Sequence, residues 1–134
     1  MSETAIDVQE FNINITCSDL HKSIDFYTTG LGFEIVHTAE REGKVRFVIM
    51  KAGTAMIGLG QDDFAKGKDR NKGVGLRIWL NTPQDIGALA DRARGAGLKL
   101  DDAPKPLPWG SMAFQLTDPD GFKLTVANPR EGGW

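Results

Sequence analysis

Apolar and polar positions alternate along "FNINITCSD", residues 11–19: Phe11, Ile13, Ile15 and Cys17 interleave with Asn12, Asn14, Thr16 and Ser18. A period of two marks a strand with unlike faces. The period then changes in "SDLHKSIDFYTTGLGF". There Leu20, Ile24 and Tyr27 share one helical stripe that Leu31 continues; Ser18 or Asp19 can cap it, and Gly30 and Gly32 stop it. "FEIVHTAE", "KVRFVIMK" and "TAMIGLGQ" follow as three strand-like runs. They are joined through Glu42-Gly43 and Ala52-Gly53, where glycine gives the backbone freedom a hairpin needs. The first half predicts β-α-β-β-β. Residues 61–73, "QDDFAKGKDRNKG", have no periodicity and predict a polar connector.

The pattern then restarts. In "GLRIWL" Leu76, Ile78 and Leu80 alternate with Arg77 and Trp79. "TPQDIGALADRARGAG" predicts a helix with Thr82 as cap and Pro83 at its first position, ending at Gly95 and Gly97. "LKLDDA" predicts a short, weak strand, and "SMAFQLTD" with "FKLTVAN" a hairpin turning at "DPDG", residues 118–121. The second half is β-α-β-β-β again, an internal repeat of about 64 residues. One domain is expected over residues 1–134, with modules at about 8–60 and 74–128 joined by the linker 61–73. A single module leaves one sheet face bare, so two must pack together, within one chain or across a dimer.

Three stretches in this order, "CSDLHKSIDFYTTGLGFEI", "NTPQDIGALADRARGAGLKL" and "LPWGSMAFQLTDPDGFKL", resemble the vicinal oxygen chelate superfamily, the group of glyoxalases, bleomycin-resistance proteins and ring-cleaving dioxygenases. The resemblance spans nearly the whole chain. It implies an α+β fold of two βαβββ modules whose curved mixed sheets enclose a small-molecule cavity, usually at or near a homodimer interface.

Parity assigns the faces, because successive strand residues point to opposite sides. The sets Phe11/Ile13/Ile15, Leu76/Ile78/Leu80, Met112/Phe114/Leu116 and Leu124/Val126 are expected against the helices. Their complements face the cavity: Asn12, Asn14 and Thr16; Gly75, Arg77 and Trp79; Ala113 and Gln115; Lys123, Thr125 and Ala127. A two-residue turn in "KAGT" pairs Lys51 with Thr54, Ile49 with Met56 and Phe47 with Gly58, which puts Phe47, Ile49, Met56 and Gly58 on the cavity side.

In metal-dependent relatives, as the resemblance implies, His or Glu on these inward faces hold the ion. The matching positions here are Asn12, Gly58, Gly75 and Thr125, none of which offers an imidazole, thiolate or carboxylate. No metal site and no cofactor are therefore expected. His21 reads as a solvated helix residue, His37 as a strand residue toward a hairpin tip, and Cys17 as a buried thiol with no histidine to activate it. "GVGLRI" lacks the third glycine of a dinucleotide-binding turn.

Trp79 admits two readings, a core or dimer plug and a wall that stacks planar ligands. Trp109, in a Pro-rich loop, either anchors that loop or closes the mouth of the cavity. Trp134 is a loose end or a packing plug.

Composition narrows the rest. With a formal net charge of −2 the chain has no general attraction to nucleic acid or anionic membrane. Its single cysteine excludes a disulfide framework and fits the cytoplasm, and no apolar run is long enough to span a bilayer. The expectation is a metal-free, cytoplasmic, homodimeric binder similar to bleomycin-resistance proteins that sequesters an aromatic antibiotic or metabolite. Its ligand-binding residues would be Asn12, Asn14, Phe47, Ile49, Met56, Arg77, Trp79, Trp109, Gln115 and Thr125, with no catalytic residue among them. Arg77 and Lys123 on the inward faces favour a neutral, phenolic or carboxylate-bearing ligand over a cationic drug. The alternative is an enzyme of the same superfamily, a lyase, isomerase or dioxygenase, with a non-standard site.

Overall fold

The computed structural model describes residues 4–130. The first module comprises β1 (Asn12–Cys17), α1 (Leu20–Asp25), β2 (Glu34–Arg41), β3 (Lys44–Ala52) and β4 (Ala55–Gln61). The second comprises β5 (Arg77–Asn81), α2 (Ile86–Gly95), β6 (Leu100–Pro106), β7 (Met112–Thr117) and β8 (Lys123–Ala127). Their four-stranded sheets have the same order, β1-β4-β3-β2 and β5-β8-β7-β6. In each, the strand before the helix runs parallel to the last strand and the other pairs are antiparallel. This is the two-module α+β architecture that the repeat predicts.

The helix ends follow side-chain chemistry. Asp19 caps α1 by accepting from the Lys22 amide at 3.3 Å. After α1 the coil widens into a π-helical turn, Phe26–Gly30, where the Thr28 hydroxyl bonds back to the Ile24 carbonyl at 2.7 Å. The cap of α2 differs from expectation. Thr82 stays in the sheet ladder, its amide donating to Ala127, and its hydroxyl takes the Gln84 amide in a local turn. The helix starts three residues later at Asp85, whose carboxylate accepts from Gly87 and Ala88 at 2.9 and 3.3 Å.

The β3–β4 hairpin also departs from the expected register. The turn is Gly53–Thr54, with Ala52 opposite Ala55, so that Lys51 meets Met56, Ile49 meets Gly58 and Phe47 meets Gly60. The slip from the expected pairing is two residues. Because two is the side-chain period, every residue keeps its face. Glu42 and Gly43, at φ 55° and 75°, form the preceding β2–β3 turn.

The core lies on the helix side of both sheets. Ile15, Leu20, Tyr27, Met50 and Leu59 from the first module and Ile78, Ile86, Phe114, Leu116 and Leu124 from the second belong to one apolar cluster. The modules therefore pack within one chain through their helix-bearing sides. No strand of one sheet pairs with a strand of the other among the described residues. Two residues expected in this core depart from it at strand ends. Phe11 precedes β1 and is 72% exposed, and Met112 opens β7 at 36%, whereas Leu76, just ahead of β5, is half-buried and packs against the cluster. A side chain at a strand terminus has packing neighbours on one side only, so alternation no longer fixes its burial.

Polar groups tie the modules together. The Tyr27 hydroxyl donates to Asp118 Oδ2 at 2.8 Å, while the Asp120 and Phe122 amides donate to its Oδ1 at 2.8 and 3.0 Å. The Asp120 carboxylate accepts the Ser18 amide with both oxygens, at 3.1 and 3.0 Å. The connector is less featureless than its sequence implies. Lys72 reaches inward with its side chain 3% exposed, pairing with Asp62 at 3.1 Å and donating to the Ser18 hydroxyl at 3.1 Å. Gly73 crosses so close to the Gly121–Phe122 backbone that a Cβ there would collide with main-chain atoms.

Candidate functional site

Each module presents its remaining sheet face to the outside. On the first, Asn12 Nδ2 donates to Asn14 Oδ1 at 3.0 Å. Asn14 lies over Gly58, where a Cβ would overlap its Oδ1 and stand 2.8 Å from Phe47 Cζ. The missing side chain at 58 is thus what lets Asn14 and Phe47 lie side by side. Phe47, Ile49 and Met56 are half-buried on this face.

On the second module, Arg77 Nη1 donates to Gln115 Oε1 at 3.3 Å and to Thr125 Oγ1 at 3.1 Å. Thr125 is fully buried, so its hydroxyl depends on protein partners. Trp79 follows Arg77 on the same face, 36% exposed, with its indole N–H donating to Asn81 Oδ1 at 2.8 Å. The rings of Trp79 and Trp109 lie 6.2 Å apart at 31°. Trp109 is 42% exposed. The loop tryptophan therefore joins the strand tryptophan in one aromatic surface.

The ten residues expected to bind ligand fall into two sets. Asn12, Asn14, Phe47, Ile49 and Met56 form one, and Arg77, Trp79, Trp109, Gln115 and Thr125 the other; no hydrogen bond or ring contact joins them among the described residues. The physical reason is the direction of module packing, since the core occupies the side that would otherwise bring the two faces together. Trp134 lies outside the described residues. Asn81 is an addition. Its place two residues beyond Trp79 on β5 is the parity signal that could have identified it.

Two depressions flank the second face. One of about 690 Å³ lies between the modules, with Trp79, Asn81 and Arg92 on one side and the Ala52–Ala55 hairpin tip on the other. The other, about 500 Å³, is bordered by Arg77, Lys123 and Thr117.

The donor set does not fit a divalent metal. Asn12 and Gly58 stand on the open face of the first module, and Thr125 is taken up by Arg77. Gly75, expected on the fifth strand, lies ahead of β5 with φ 80°, and the strand's first residue is Arg77, a cation. Among the described residues no three of His, Cys, Asp or Glu gather where they could hold an ion. His21 and His37 are exposed. Cys17 is 1% exposed, and its thiol is pushed up to about 11, mainly by burial and further by Asp120 and Asp118, against the opposing pull of Ser23 and Gly60. It stays a neutral thiol near neutrality.

The two buried carboxylates diverge. Burial pushes Asp118 up, against the Tyr27 hydroxyl and the Phe122 and Asp120 amides. Burial also acts upward on Asp62, but Lys72, the Phe64 amide and Arg70 outweigh it and hold that carboxyl below its ordinary value. Asp118 is engaged with Tyr27 across the two modules, and Asp62 with Lys72 and Arg70 of the connector.

Residues 11–126 match the sequence model of the Glyoxalase/Bleomycin resistance protein/Dioxygenase superfamily. The chain belongs to this superfamily. Among curated proteins none matches it in sequence. Solved structures share the superfamily fold. TioX from Micromonospora sp. ML1 is 14% identical, covering 90% of this chain and 98% of its own, with a TM-score of 0.74. UcmS2 is 19% identical, covering 92% and 99%, with a TM-score of 0.73. A member of the superfamily from Sphaerobacter thermophilus DSM 20745 is 26% identical, covering 91% and 98%, with a TM-score of 0.69. No described helix of this superfamily member is long and apolar enough to cross a membrane.

Proposed function

We propose that this superfamily member is a metal-free small-molecule binder that sequesters an aromatic antibiotic or metabolite. It would act as a cytoplasmic homodimer. The observation that carries the reading is the Trp79–Trp109 surface, exposed on a sheet face whose polar neighbours include no metal-ligand set. Aromatic side chains left open to water beside a few oriented polar groups are what a planar ligand requires. Stacking contributes about 0.5–1.5 kcal/mol per aromatic contact beyond the burial of area. One module's face is therefore too little for useful affinity. Covering it with the Asn12–Asn14–Phe47 face of a second copy would supply the remaining wall, and this is the reason for the homodimer.

Tryptophan fluorescence tests the reading. Titration with a broad panel of planar aromatic compounds should quench or shift the emission saturably, and Trp79→Ala should weaken the responsive ligand at least about tenfold. A panel that leaves the signal unchanged would reject sequestration. Stoichiometric, tightly held metal in purified protein would favour the competing reading, a superfamily enzyme with a non-standard site.

A further inference from the structure

The guanidinium of Arg77 is held by one end only. Nη1 donates both to Gln115 Oε1 at 3.3 Å and to Thr125 Oγ1 at 3.1 Å. The opposite edge, formed by Nε and Nη2, donates to no protein group among the described residues. That edge is the fork that matches the two oxygens of a carboxylate. The side chain is thus fixed in place with its recognition edge unused.

The charge around it is also unanswered. Lys123 is the register partner of Arg77 across the parallel β5–β8 pair, so both cations rise from the same face. Arg77 is exposed, as is Lys123, and the two border the 500 Å³ depression. No carboxylate comes within ion-pairing distance of either among the described residues, although Arg70, Lys72, Arg94 and Lys105 all have acidic partners. Of the acids on the neighbouring β6, Asp102, the register partner of Gln115, pairs with Lys105 at 3.3 Å, and Asp101 is engaged with the Thr117 hydroxyl.

Geometry supplies the second half of a ligand. Trp79 stands two residues from Arg77 on one strand, a separation of about 6.6–6.8 Å along the same face. A planar molecule that stacks on the Trp79–Trp109 surface reaches the Arg77 fork if a carboxylate hangs from its ring edge. We infer that the second-module face selects planar aromatic acids: the ring rests on Trp79 and Trp109, the carboxylate takes the Nε–Nη2 edge of Arg77, and Lys123 adds charge. This rests on the binding reading above and narrows its ligand class.

The test is a calorimetric titration with three probes of one shape and different charge, 2-naphthoate, 2-naphthamide and 2-naphthylmethylammonium. The acid should bind at least about tenfold tighter than the amide, as expected when a carboxylate replaces a neutral carbonyl as the acceptor of the guanidinium, and the ammonium should bind weakest. Arg77→Gln should weaken the acid more than the amide and bring the two affinities within about twofold of each other. Lys123→Gln, which keeps the Arg77 anchor to the buried Thr125 intact, should weaken the acid alone by a smaller factor and flatten its salt dependence. An amide or ammonium that binds as tightly as the acid would overturn this inference while leaving the binding reading standing. So would an acid preference that survives Arg77→Gln. Failure of these probes together with the entire aromatic panel would remove the binding reading itself.

Discussion

Cys17 shows how position decides reactivity. Its sulfur sits at the end of β1 under the first helix, 1% exposed, where a thiolate would be poorly solvated. The folded chain keeps this proton to about pH 11, whereas an exposed thiol releases it from about 9.0. Between those values the unfolded chain has lost the proton and the folded chain has not, so folding stability falls as pH rises through the window. The full change is about 2 to 3 kcal/mol. Tyr27, pushed well above its ordinary 10.0 by burial and then by Asp118, adds a loss of the same sign above pH 10. Urea midpoints measured from pH 8 to 11 should therefore decline steadily, and Cys17→Ala should flatten the part between pH 9 and 10. An unchanged profile in that variant would show the thiol titrates normally. The parity of "NITC" identified Cys17 as buried. It could not identify Asp118 and Asp120 as its charged neighbours, since they approach from the other module.

Among the elements, the connector carries the least expected role. Read as "QDDFAKGKDRNKG" it looks solvated throughout, and most of it is. Yet Lys72 and Asp62 form an ion pair with side chains 3% and 6% exposed, and Lys72 also holds the Ser18 hydroxyl beside the α1 cap. Removing one partner of such a pair leaves the other charge without compensation, which destabilises the fold. Arg70, 3.4 Å from Asp62, softens this. Lys72→Met should thus lower the urea midpoint of unfolding well beyond the measurement error. A change below the measurement error would mean the connector is only a tether. Strand existence, strand order within the repeat and the facing of most side chains were legible because alternation is local. The α2 cap was not, since Thr82 and Asp85 are both good capping residues and the choice came from Thr82 remaining in the ladder with Ala127. The β3–β4 register was missed as well, yet the faces of Phe47 and Ile49 were right because the error was even.

For the whole molecule, the repeat followed from element order and the superfamily from the resemblance of three stretches in that order, while the relation of the two candidate faces did not follow from either. Both sheets offer apolar residues to the core from the helix side, and pattern alone does not say whether the other faces meet within a chain or across two. Here they stay apart and open. If a second copy covers them, sedimentation at micromolar concentrations should give twice the 14.6 kDa chain mass. Phe47→Glu, which puts a charge on the half-buried apolar row, should shift the equilibrium toward single chains at least about tenfold. A wild-type protein that stays monomeric at tens of micromolar would end the dimer proposal. The uncovered rows also bear on dosage. A trough walled by two chains exists only in proportion to the square of free chain concentration when association is weak, so halving the amount of protein in a cell would cut the number of ligand-ready sites about fourfold. Protection against a toxic ligand would then set in abruptly with expression level.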